Sequence, residues 1–141
     1  MINPSVAIII VNWNSYSFTF DCITSLKKCN YPNFKIILVD NGSTDFSIEK
    51  LSKDFKEIDI IKNKSNLGFT GGNNIAISRA LKENFDYVML LNNDTKVNSR
   101  SKNRNTRTDF THLFISIDKL THYFEYRPVL QHLEWIQILW S

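Results

Sequence analysis

Three apolar runs, at residues 6–11, 34–39 and 87–91, each stop abruptly at a cluster rich in Asn, Asp, Ser or Thr. That pattern constrains the fold more than any other feature of the chain. A short run without polar alternation suits a strand covered on both faces, as in a parallel sheet flanked by helices. A polar cluster closing such a strand then lies at the carboxyl edge, where open α/β sheets bind ligands. The sharpest case is Tyr87-Val88-Met89-Leu90-Leu91 followed by Asn92-Asn93-Asp94-Thr95. A carboxylate flanked by amides offers oxygen to a hard divalent cation, and Mg²⁺ is often held by one or two carboxylates plus substrate phosphates. Asp94 is therefore the first candidate for a metal ligand; the alternative is a plain turn.

Helical patterns alternate with the strands up to Ser99. Val6 to Asn12 reads as the first strand, and Asn14 or Ser15 can cap a helix whose Phe18, Cys22 and Leu26 recur at i, i+4, i+8. Phe34 to Asp40 is the second strand, followed by a turn and cap at Gly42-Ser43-Thr44-Asp45 and a helix with Ile48, Leu51 and Phe55 on one face. Ile58 to Ile61 is a short third strand. After a polar loop, Gly71-Gly72-Asn73-Asn74 is expected to open a third helix, with Ala76/Ala80 and Ile77/Leu81 as i, i+4 pairs. Strands alternating with helices point to a parallel sheet with right-handed crossovers. Three β-α units and a fourth strand make half of a doubly wound nucleotide-binding sheet.

A chain of 141 residues is the length of one modest domain, and a net charge of +3 does not by itself imply nucleic acid. Cys22 and Cys29 fit neither a zinc motif nor a disulfide framework, and Cys22 is expected as a buried free thiol. The start lacks a basic n-region, and no stretch approaches the about 18 apolar residues of a membrane span. The expected location is the cytoplasm, with peripheral association at the inner face of a membrane as an extension.

The composition shifts at residue 100. Four of the five arginines lie at or after Arg100, whereas ten of the twelve lysines precede it. Residues 1–99 read as the partial nucleotide-binding domain and 100–141 as a basic linker and an atypical tail, helical or poorly ordered. The abrupt change suggests a truncated or frameshifted remnant of a longer gene. Within the tail, Leu113, Ile117, Leu120 and Phe124 have helical spacing, and such a helix would cover the open edge of the half-sheet. His112, His122 and His132 are ten apart, which is no local metal-ligand spacing.

The loop residues admit both structural and binding roles. Asp40 closes a strand and can accept hydrogen bonds from a base or ribose, whereas Asp45 suits a helix cap. Gly42 suits a turn with positive φ. Gly68, Gly71 and Gly72 would let backbone approach a diphosphate, with free N–H groups at the helix start just beyond. Asn73 and Asn74 can cap that helix or touch substrate, and Trp13 can stack, though packing is the expectation.

Val-Asn-Trp-Asn at 11–14, Val-Asp-Asn-Gly-Ser-Thr-Asp at 39–45, Asn-Leu-Gly-Phe at 66–69 with Gly-Gly-Asn-Asn at 71–74, and Leu-Asn-Asn-Asp-Thr at 91–95 occur in order. With these motifs the chain resembles the amino-terminal half of a family 2 glycosyltransferase of the GT-A fold, especially the rhamnosyltransferase-like branch. The resemblance runs from Ser5 to about Asn98 and implies a Rossmann-like parallel sheet binding a UDP- or dTDP-sugar. It places Val11, Asn12, Asn14, Asp40, Asn41, Gly42, Asn66, Gly68, Phe69, Gly72, Asn73, Asn92 and Asn93 at the nucleotide sugar, and Asp94 on Mg²⁺ or Mn²⁺. Asn92 stands where the family's DxD motif has its first carboxylate, so one charge is missing. A glycan or lipid-linked acceptor is implied, with cell-surface polysaccharide biosynthesis as the setting. The acidic motif that carries the family's general base has no counterpart here, so weak or absent activity is expected. The competing reading is a non-catalytic nucleotide- or nucleic-acid-binding module using Arg100 to Arg107. The lack of aromatic residues within that run argues against nucleic acid.

Overall fold

The computed structural model describes residues 3–97 and the backbone of residues 114–116. Its elements, in chain order, are β1 (Val6–Asn12), α1 (Tyr16–Leu26), β2 (Phe34–Asp40), α2 (Ser47–Asp54), β3 (Asp59–Lys62), α3 (Gly68–Lys82), β4 (Tyr87–Leu91) and β5 (Phe114–Ser116). They form one sheet in the order β3-β2-β1-β4-β5. The first four strands are parallel, and β5 runs antiparallel to β4.

Both faces of the sheet are covered, which explains the apolar runs without alternation. Ile8, Ile10, Ile36, Leu38, Met89 and Leu91 form one buried cluster with Cys22, Ile23 and Leu26 of α1 and Ile48 and Leu51 of α2. Ala7, Ile9, Ile37, Val39 and Val88 form the other with Ala76, Ile77 and Ala80 of α3. Successive residues of β1 therefore serve opposite clusters, as the two-residue period of a strand requires. Ile9, Ile10 and Ile37 are fully buried, and each such side chain contributes about 1.5–3 kcal/mol relative to exposure.

Five local expectations are corrected. Phe18 does not share the buried face of α1; it is 62% exposed, and Thr19, Cys22, Ile23 and Leu26 make that face. Ser15 occupies the N-cap position of α1 without a side-chain cap bond. The Asn14 side chain instead accepts from the amides of Thr44 and Asp45 across the β2–α2 loop. The third strand lies one residue later than its apolar run, at Asp59–Lys62, because its partners in β2 set the register. The third helix starts at Gly68 rather than after Gly72, so both later glycines are helical. Finally, residues 114–116 of the expected tail helix form β5. A strand can pair with the outer edge of β4, as β5 does from Tyr87 to Met89, where a helix cannot. The edge is covered as anticipated, by a different element. The remainder of the tail and the basic run 100–107 lie outside the described residues.

Candidate functional site

The strand order creates the site. β1 leads to β2 and β3 on one side, whereas β4 joins β1 on the other, so the chain changes direction between β1 and β4. In such sheets the crevice beyond the carboxyl ends at that point binds ligands. Asn12 pairs with Asp40, and Asp40 with Lys62, in the last rung of the sheet. β4 ends earlier, with Leu91 opposite Ile10. Asn92, Asn93 and Asp94 thus emerge beside the end of β1, and all four sequence clusters meet at one edge.

Asn12 is fully buried. Its Nδ2 donates to Ser43 Oγ and Ser47 Oγ at 3.1 Å each, and its Oδ1 accepts from Thr19 Oγ1 at 2.7 Å. Asn41 is also buried. It donates to Asn66 Oδ1 (2.8 Å) and the Gly68 carbonyl (3.1 Å), and accepts from Asn63 Nδ2 and the Leu67 amide (3.1 Å each). Both side chains, placed at a ligand by the resemblance, spend their polar groups on neighbouring loops and helices. Asn73 does not cap α3, whose N-cap position is Leu67; it is buried and donates to the Phe69 carbonyl one turn back. Thr19, Ser47 and Asn63, passed over in the sequence, complete these networks together with Ser43 of the expected turn.

Asp40 is almost wholly buried, and its Oδ1 accepts from the Ser43 amide at 3.1 Å. Its second oxygen carries no bond among the described residues. Phe46, not Asp45, holds the N-cap position of α2, without a side-chain cap bond. Asp45, one residue earlier, accepts from the Ser47 amide, and that bonding with Ser47 holds its carboxyl below the usual range. Gly42 has φ +77°, and a Cβ there would stand 2.5 Å from the Ser65 backbone carbonyl carbon. Only glycine lets the β2 and β3 loops approach so closely. At Gly72 a Cβ would meet Val11 Cγ1 at 3.1 Å, so that glycine allows close helix–sheet packing.

The groups left on the surface are different ones. Trp13 and Phe69 are 54% and 55% exposed, so Trp13 does not pack as expected. The Gly68 amide donates to Asn66 Oδ1, whereas the next amides of α3 have no intrahelical partner, as at any helix start. Asn92 and Asp94 are exposed. Beneath them, burial pushes the Cys22 thiol up to about 12, and the Asp94 charge adds to the shift. Cys22 is a free thiol that donates to the Asn92 carbonyl.

Comparison with known proteins decides what this edge belongs to. The family model "Glycosyl transferase family 2" matches residues 7–102. The chain belongs to glycosyl transferase family 2. Two uncharacterized glycosyltransferases of Haemophilus influenzae are similar to this family member. One is 38% identical over 77 residues, covering 52% of this chain and 24% of the relative; the other is 32% identical over 95 residues, covering 64% and 36%. The chain thus spans about a quarter to a third of the length of these relatives. Among solved structures, S. aureus TarS 1–349 in complex with UDP-GlcNAc is similar with TM-score 0.60 and 22% identity, covering 67% of this chain and 28% of that one. The mannosyltransferase PcManGT from Pyrobaculum calidifontis, in complex with GDP-Man and Mn²⁺, is similar with TM-score 0.59 and 17% identity, covering 67% and 29%. These likenesses establish a GT-A-like α/β fold for this transferase-family domain.

Whether the edge suits a divalent cation follows from its donors. Among the described residues no three His, Cys, Asp or Glu side chains come together to hold a metal ion. Asp94 and the neighbouring amide oxygens do not make a closed cage. They fit a cation that keeps most of its shell as water and phosphate oxygen. Among the described residues no helix is long and apolar enough to cross a membrane.

Proposed function

We propose that this glycosyltransferase domain binds a UDP- or dTDP-sugar with Mg²⁺ or Mn²⁺ across the β1/β4 crevice, for transfer to a glycan or lipid-linked acceptor. The observation that carries the reading is the meeting of Asp40, the start of α3 and Asn92-Asn93-Asp94 at one sheet edge. The free oxygen of Asp40 suits a base N–H or a ribose hydroxyl. The unpaired amides at the start of α3 suit phosphate oxygens. Asp94 would hold the cation, with Asn92 giving a neutral oxygen beside it; this departure from two carboxylates is the reason to place the chain in the rhamnosyltransferase-like branch. The setting we propose is the cytoplasm, extending to the inner face of the membrane where a lipid-linked acceptor would lie.

The reaction would be attack of an acceptor hydroxyl on the anomeric carbon, with the bond to the diphosphate oxygen breaking and a nucleoside diphosphate leaving. A bound cation would offset the charge that develops on that diphosphate. Calorimetry with UDP and Mn²⁺ tests the reading. Binding is expected to weaken at least tenfold with EDTA and with Asp94→Ala. Affinity indifferent to both would remove the metal assignment.

A further inference from the structure

The helix α1 carries three polar side chains at three-residue intervals, Thr19, Cys22 and Ser25, and each grips the segment that contains Asp94. Asn93 Nδ2 donates to Thr19 Oγ1 at 3.0 Å. Cys22 Sγ donates to the Asn92 carbonyl at 3.7 Å, and the Val97 amide donates to Ser25 Oγ at 3.0 Å. Asp21 of the same helix pairs with Lys96 at 2.9 Å. Residues 92–97 are therefore seated along one helix rather than hanging from the end of β4.

Thr19 occupies a special place in this row. It is fully buried, and its hydroxyl has a single proton, which goes to Asn12 Oδ1. Asn12 Nδ2 is taken by Ser43 and Ser47. The Thr19 oxygen can then only accept from Asn93, so the amide nitrogen of Asn93 turns inward. Its carbonyl oxygen carries no bond among the described residues, next in sequence to Asp94. One relay runs from Ser43 in the β2–α2 loop, whose amide donates to Asp40 at the end of β2, through Asn12 and Thr19 to the loop that holds Asp94.

Building on the reading above, we propose that Thr19 is a positioning residue that holds Asn92-Asn93-Asp94 ready for a metal-bound nucleoside diphosphate, without touching the ligand itself. Groups that orient ligand-bearing residues act by removing the ordering cost from the binding step. The contribution of Thr19 should then be felt only when metal is present. A residue that merely stabilised the fold would lower binding alike with and without metal.

The test is calorimetry of UDP on the full chain, with Mn²⁺ and with EDTA, for wild type, Thr19→Val, Thr19→Ser and Asp94→Ala. The ratio of affinities in Mn²⁺ and EDTA should fall roughly three- to tenfold in Thr19→Val, the scale of one hydrogen bond, while affinity in EDTA changes less than about twofold. Thr19→Ser should restore the ratio, because it keeps the hydroxyl. Asn93→Ala breaks the same bond from the surface side, and also serves if Thr19→Val does not fold. Its effect should be no larger when both changes are combined. A wild-type ratio kept by Thr19→Val and Asn93→Ala overturns the positioning role alone. A wild-type chain whose UDP affinity ignores Mn²⁺ overturns the metal reading and this proposal with it. Failure of Thr19→Ser to rescue assigns the loss to packing and overturns the proposal as well.

Discussion

An asparagine at the end of a strand can serve a ligand or the protein, and its hydrogen-bond partners decide which. The Asn41 side chain makes four bonds, to three residues of the loop between β3 and α3 and to Gly68 at the start of α3. Asn41→Ala would leave the Leu67 amide and the Gly68 carbonyl without those partners. A loss of about 2–4 kcal/mol is expected, since a buried unsatisfied group costs about 1–3 kcal/mol; urea unfolding measures it. Gly42→Ala meets two penalties at once, the positive φ and the backbone of Ser65. It should cost about 2–4 kcal/mol, combining left-handed strain with overpacking, and the same unfolding experiment would refute a neutral result. The positions of Asn12, Asn41 and Asp40 were legible in the sequence because each closes an apolar run. Their partners were not, since Ser47, Asn66 and Thr19 are brought to them only by the crossovers. Trp13 was misjudged for a related reason: an aromatic residue in a loop packs only if the fold brings a surface to it.

At the level of elements, the boundaries of β1, β2 and β4 could be read directly because both faces of each strand are buried. Helix α1 was harder. Phe18, Cys22 and Leu26 share a helical period, yet Thr19 is the residue buried at its start, because the buried Asn12 offers its hydroxyl a partner. Apolar spacing cannot register that bond. β5 was missed because pairing along an open edge overrides local periodicity. The start of the sheet is tied by charge: Lys35 of β2 meets Asp59 of β3 at 2.7 Å and Glu83 beyond α3 at 3.1 Å, and Arg79 of α3 meets Asp59 at 3.2 Å and also pairs with Glu83. The Lys35 bond, helped by the nearby Arg79 charge, holds the Asp59 carboxyl below its usual range, and Arg79 and then Lys35 do the same for Glu83. A carboxyl lowered in the folded state contributes stability above its unfolded value, about 4 for these groups, and that contribution is lost as pH falls through the folded value. Stability should therefore decline below about pH 4, and Asp59→Asn should flatten that decline. At 1 M salt the difference should shrink, because these groups are partly exposed and screened. An acid limb unchanged by Asp59→Asn would mean that other carboxylates dominate it.

For the whole molecule, the separation of binding from transfer follows from which carboxylates the edge has to spare. Three acidic residues lie at that edge, Asp40 at the end of β2 and Asp45 and Asp94 in the loops beyond their strands. Asp45 is occupied at the start of α2 and Asp40 is bonded to the Ser43 amide; on the proposed reading the free oxygen of Asp40 serves the nucleoside and Asp94 the cation. None remains among the described residues to take the proton of an acceptor hydroxyl. A general base contributes about 10²–10⁴-fold to such a step, and acceptor positioning contributes more. On the proposed reading, residues 1–141 should therefore bind a nucleotide sugar and transfer little or none. Incubating the purified chain with UDP- and dTDP-sugars, Mn²⁺, and glycan or lipid-linked acceptors tests this directly, with nucleoside diphosphate release as the readout. The expected result is metal-dependent binding with acceptor-dependent release at background. Robust release that Asp94→Ala abolishes would mean that a carboxylate outside the described residues supplies the base. In that case the 141-residue chain would itself be a working transferase.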